Sequence, residues 1–143
     1  MKKILPVIAI FVAFYIGWSQ FDRPKDSASL TGQNDTILAN SFEEGKSDVQ
    51  VEGSGTVIKI LSDDNDGSRH QRFILRLDSG QTLLITHNID LAPRLSSLRE
   101  GDAVAFNGIY EWNSKGGVIH WTHHDPNGRH VAGWLLHNGQ TYQ

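Results

Sequence analysis

The chain has 143 residues, room for one modest core, and no cysteine, which excludes disulfides, thiolate nucleophiles and Cys-ligated zinc. Lys plus Arg number 13 against 16 Asp plus Glu, and setting Lys2 and Lys3 aside with the N-terminal segment leaves 11 against 16. That acidic balance argues against a nucleic-acid partner held by phosphate neutralisation.

Met1-Lys2-Lys3 followed by an apolar run over residues 4–18 has the charged and hydrophobic regions of an export signal. Residues 1–21 are therefore expected to form a hydrophobic export or anchor helix. Gly17 and Ser19 suit a cleavage site, whereas Trp18 and Phe21 suit the interfacial belt of a retained anchor, and both readings stay open. Either one puts the rest of the chain outside the cytoplasm, in the periplasm or tethered to the inner membrane, with a membrane contact only if the segment is uncleaved. Residues 22–33 are polar and read as a tether, and residues 34–143 as the folded domain. Asn34 or Asp35 can cap a short helix in which Ile37, Leu38 and Phe42 share a face and Gly45 stops the turn.

From residue 49 the pattern has period two. Val49, Val51 and Val57 mark a long first strand with Gly53 and Gly55 placed to let it coil. Phe73, Leu75 and Leu77 alternate with polar residues, and Ser79-Gly80 turns the chain into a third strand over residues 82–87. An irregular or helical connection with Pro93 leads to a fourth strand carrying Val104, Phe106, Gly108 and Tyr110. A glycine-rich turn at residues 113–117 then returns residues 118–122 as a fifth. Asn138-Gly139 signals a closing hairpin. The fold class is mainly β: a five-stranded barrel like the oligonucleotide/oligosaccharide-binding (OB) architecture, with an appended C-terminal β-hairpin covering part of it.

His120, His123, His124 and His130 fall within eleven residues, with Asp125 among them, a ligand set suited to Zn or Cu(II). In extended chain His120 and His124 lie about 13 Å apart, so they share a metal only if the strand ends early, as the turn at residues 125–128 suggests. His87 has the parity of Leu83 and Ile85 and should point inward at one mouth, and His70 begins the second strand. Convergence of His70, His87 and the cluster with Asp90 or Glu111 would make a metal site. Otherwise these histidines and the tryptophans are half-buried groups bonded to one another. Asp63-Asp64-Asn65-Asp66-Gly67 superficially matches a calcium loop, but the register puts Ser62 and Phe73 where carboxylates belong, so a turn explains it better.

Residues 67–73, 86–92 and 116–123, the last containing His120-Trp121-Thr122-His123, resemble a family of small bacterial proteins described only as a domain of unknown function. The resemblance covers residues 49–142 and implies no activity, cofactor or catalytic residue. Three functions compete. A binding module for a small ligand, glycan or protein would use Tyr110, Trp112, Trp121 and Trp134 for stacking and Arg72 and His120 for polar contacts. A metal-dependent hydrolase, nucleases included, would hold zinc with two or three of His70, His87, His120, His123 and His124. A Zn or Cu(II) carrier would use the same histidines without turnover. The binding module is favoured, because no complete catalytic arrangement can be assembled from the sequence.

Overall fold

The structure, a computed structural model, describes residues 25–143. The expected export or anchor helix over residues 1–21 lies outside them, and among the described residues no helix is long and apolar enough to cross a membrane.

Helix α1 (Lys25–Glu43) precedes seven strands: β1 (Val49–Ile60), β2 (His70–Arg76), β3 (Thr82–Asn88), β4 (Ala103–Glu111), β5 (Val118–His120), β6 (Trp134–His137) and β7 (Gln140–Tyr142). The helix is longer than the pattern beginning at Asn34 suggests, and residues 25–33, expected as tether, are helical. No proline follows Pro24 in that stretch, and Ala28 and Leu30 are good helix formers. Its end is as expected. Gly45 takes φ 64°, and the Lys46 N–H reaches the Ser41 carbonyl at 2.9 Å, a Schellman-type stop. Leu38 is fully buried and Phe42 half-buried one turn on, while Ile37 faces outward.

Strands β1, β2, β3, β5 and β4 follow one another and β4 pairs back to β1, closing a five-stranded barrel. All of these pairings are antiparallel except β3 with β5. This is the strand order of the OB architecture. One strand serves two partners because β1 bends: residues 49–56 pair with β4 and residues 56–60 with β2, with a register shift between Val57 and Lys59. Gly53 and Gly55 permit the bend. A Cβ at Gly53 would sit 2.7 Å from the Phe106 ring, and one at Gly55 2.7 Å from the Arg76 carbonyl oxygen.

Period-two residues Phe73, Leu75, Leu83, Ile85, Val104 and Phe106 fill the barrel. The residue 89–102 connection is a series of turns around Pro93, without the helix that was one of its two readings, and it sends Leu95 into the core. The C-terminal hairpin joins the sheet. Where β5 leaves β4 at His120, β6 takes over the same edge from Asn107↔Trp134 to Val104↔His137, and β7 pairs outside it. Asn138 (φ 50°) and Gly139 (φ 75°) make the two-residue turn that their sequence signals. Leu135 and Tyr142 of this hairpin belong to the core.

Candidate functional site

His87, the penultimate residue of β3, has its side chain inside the barrel mouth, as its parity requires, and is 0% exposed. Its Nε2 lies 2.9 Å from the Pro93 carbonyl oxygen, which only accepts, so Nε2–H donates. Nδ1, 2.7 Å from the Thr122 hydroxyl oxygen, is then the acceptor and the Thr122 O–H donates to it. Burial lowers the imidazole pKa to about 4, against the opposing pull of the Pro93 carbonyl and with help from His123 and His70 nearby. Gln71 completes the plug by donating to the Leu95 carbonyl (3.0 Å) and accepting the Leu95 N–H (2.9 Å). The neutral ring thus ties β3, the β3–β4 connection and the segment after β5 together, and both nitrogens are spoken for.

One residue before Thr122 the backbone departs from the ordinary. β5 stops at His120, and Trp121 takes φ 57°, a left-handed conformation costly for a large side chain. Gly133 holds it there. A Cβ on Gly133 would lie 2.0 Å from the Trp121 carbonyl oxygen and 2.7 Å from that of Asn107, and the Gly133 N–H donates to the His123 carbonyl at 2.9 Å. Between them the Asp125 carboxylate accepts the N–H groups of Asn127, Arg129 and His130 at 2.8–2.9 Å. These bonds, that from Asn127 foremost, hold the Asp125 pKa below the usual carboxylate value.

The turn folds the loop back on itself, so the Trp121 ring meets His123 (centroids 5.2 Å, planes 28° apart) and His130 (4.4 Å, 36°). Nδ1–H of each imidazole donates to a carbonyl, His123 to His124 (2.6 Å) and His130 to Val131 (2.8 Å). The buried Trp121 indole nitrogen has no hydrogen-bond partner in the protein.

The remaining candidates are spread over the barrel. His70 donates from Nδ1 to the Ser68 carbonyl (2.8 Å), His120 meets Glu111 on the outer wall at 3.2 Å, and His124 is exposed. Asp90 accepts from the backbone and guanidinium of Arg69. Among the described residues no three His, Cys, Asp or Glu side chains are grouped to hold a metal ion. Arg72 donates from Nε to the Ser62 carbonyl at 3.0 Å and lies opposite Thr86.

Tyr110, offered above as a stacking surface, is fully buried: it shares the inward face with Val104 and Phe106, and its hydroxyl donates to the Gly116 carbonyl at 2.9 Å. Trp112 packs against Phe42 (6.4 Å, 17°) and donates from Nε1 to the Phe42 carbonyl (3.0 Å), fastening the helix to the barrel. Trp134 is half-buried opposite Asn107. In the acidic run, Asp64 pairs with His70, accepts the Asp66 N–H, and Asp63 is ion-paired with Arg94, so the segment is a turn.

One buried group was passed over. His137, with the inward parity of Leu135, is enclosed and bonded through Nε2 to Asp102 at 2.7 Å; that bond is the main reason the Asp102 pKa is lowered. The alternation over residues 134–137 carries the signal for it.

Residues 26–143 match the family model described as Protein of unknown function (DUF3465). The chain belongs to that family. No curated protein matches it. The DUF3465 match takes in nearly the whole helix, the barrel and the hairpin together. Within it, the four residues 120–123 divide their tasks: His120 faces out beside Glu111, Trp121 carries the left-handed turn, Thr122 bonds His87, and His123 is buried against Trp121.

Proposed function

We propose that this chain is an exported, non-catalytic binding module whose contact surface is the residue 121–133 loop, with His120 and Arg72 on the adjoining wall. The observation that carries the reading is Trp121. A tryptophan held at φ 57°, packed on two imidazoles and with its buried indole N–H unmatched, stores strain and an unsatisfied donor beneath the surface of the loop. Each such defect costs about 1–3 kcal/mol, and such costs persist mainly where a ligand or partner makes use of them. The employment of His87 by protein groups on both nitrogens also supports binding over hydrolysis, since it withdraws a histidine aimed into the mouth from any metal. Export rests on the charged and apolar pattern of residues 1–18.

The reading is tested by mass-spectrometric metal content of the full chain, purified without a tag or chelator, together with phosphodiesterase and esterase assays. A folded chain that carries no stoichiometric metal and turns nothing over supports it. Stoichiometric zinc or copper that is lost in a His120→Ala, His124→Ala variant, both positions solvent-accessible, overturns it.

A further inference from the structure

A second feature lies away from the Trp121 loop, on the outer face of β1 and β4. Gln50 and Glu52 are successive outward residues of β1, and both are exposed. Asn107 of β4 lies directly opposite Glu52. The Gln50 amide donates to the Asn107 carbonyl oxygen, and the Asn107 amide donates to the Glu52 carboxylate at 2.9 Å. The three side chains form one directed ladder, Gln50 to Asn107 to Glu52. It fixes their orientation on a wet surface, where water would satisfy each of them equally well and where holding long side chains costs entropy.

The ladder floors a cleft of about 270 Å³ whose other wall is α1, through Asn34 and Ile37. Ile37 is 43% exposed despite being isoleucine, and it is the residue that turns away from the barrel core. On the far side of Asn107, in the same register row, stands Trp134 of β6. Directly opposed residues on one sheet face bring their Cβ atoms to about 5 Å, so Trp134 stands next to Asn107, just outside the lining of the cleft. No Lys or Arg lines the cleft.

We infer that this cleft is a carbohydrate site, in which the Gln50–Asn107–Glu52 ladder reads sugar hydroxyls, Ile37 supplies an apolar wall, and Trp134, next to Asn107, stands just past its edge. A hydroxyl both donates and accepts, and so matches a row in which amide N–H groups alternate with carbonyl and carboxylate oxygens. The unused valences point the same way: after the ladder is made, Gln50 keeps a carbonyl oxygen, Asn107 one amide hydrogen, and Glu52 a second oxygen. The C–H faces of a pyranose suit the apolar border. Glu52, unopposed by any cation in the lining, selects against phosphate, sulfate and uronic acids, leaving a neutral sugar. The volume falls just below the usual 300–1,000 Å³ of small-molecule pockets, which fits the end of a chain or a single short stretch.

The test uses the full-length chain in a zwitterionic, sugar-free detergent, with cellotetraose, chitotetraose, maltotetraose and an anionic oligogalacturonate as probes. Binding is followed by saturation-transfer NMR and tryptophan fluorescence. At least one neutral tetrasaccharide is expected to bind, and Asn107→Ala and Gln50→Ala, with melting temperatures near wild type, to weaken it about tenfold or more. The inference is overturned if no neutral probe binds up to about 10 mM. It is also overturned if both variants bind as the wild type does, or if the oligogalacturonate is preferred. The outcome is separable from the Trp121 loop, because Asn107 meets Gly133 of that loop through its backbone carbonyl, which Asn107→Ala keeps, and Gln50 lies on β1.

Discussion

The two ends of the barrel are closed by opposite means. At one end α1 inserts Leu38, clamps Phe42 under Trp112, and buries Asp35 against the β2–β3 turn. At the other a polar plug of His87, Gln71 and Thr122 spans three segments, with the bonding capacity of the His87 ring filled. The helical end tolerates a mismatch: one oxygen of the nearly buried Asp35 is unpartnered, and burial pushes its pKa up against the Ser79 N–H that lowers it. Within the plug itself no side-chain polar atom of His87, Gln71 or Thr122 is left without a partner, although the indole nitrogen of neighbouring Trp121 is. Apolar packing can absorb a poorly satisfied group, because dispersion contacts do not depend on it, whereas a buried polar plug holds only when every member is matched.

The largest expected effect comes from breaking the plug. His87→Ala removes a fully buried ring and strands the Thr122 hydroxyl and the Pro93 carbonyl, so urea unfolding is expected to show a loss of about 3 kcal/mol or more. A loss below about 1 kcal/mol would mean the two ends are closed equally loosely.

Acid sharpens the contrast next. The folded-state pKa of His87 is about 4 and its ordinary value 6.5, so the unfolded chain takes up the proton first as pH falls. Stability that is full above pH 6.5 is therefore lost progressively down to about pH 4, with His87 accounting for about 3 kcal/mol. His87→Gln, which keeps a donor and an acceptor but does not titrate, should lose that part of the slope in a pH series of urea midpoints.

At the helical end the sign reverses. The raised Asp35 pKa favours the protonated, folded form, a contribution present below the ordinary carboxylate value and lost as pH rises through the folded one. Asp35→Asn is thus expected to raise the melting temperature by several degrees at pH 7 and to do nothing for it at pH 3. A variant that melts lower at pH 7 would show that the charge itself is needed there. The smallest effect is that of Trp112→Phe, which keeps the ring against Phe42 but loses the bond to its carbonyl. Calorimetry should register about 0.5–1.5 kcal/mol.

Much of this was legible in the sequence. Period-two spacing marked the barrel strands, parity aimed His87 inward, and Asn138-Gly139 placed the last turn, all because strand alternation and positive φ are local rules. The same parity ought to have withdrawn Tyr110 from the stacking surface, since it follows Val104 and Phe106 on the inner face. The partner of His87 was out of reach: Thr122 arrives there only because β3 and β5 run parallel over two paired residues, a contact spanning 35 positions. Trp121 was equally hidden, because what holds its backbone is the close passage of Gly133, twelve residues later. The Gln50–Asn107 contact spans 57 positions and needs the β1–β4 register.

The exchange of β5 for β6 along one edge of β4 bears on the order of events during synthesis. Leu135 and Tyr142 complete the interior, yet they are made after every other member of it. A nascent chain can form the β2–β3 hairpin early, but β4 is left with half an edge bare until residues 134–137 emerge. Folding dominated by such distant pairings is slow and all-or-none. Closure of the barrel wall and completion of its interior are therefore one event, which waits for residues 134–142.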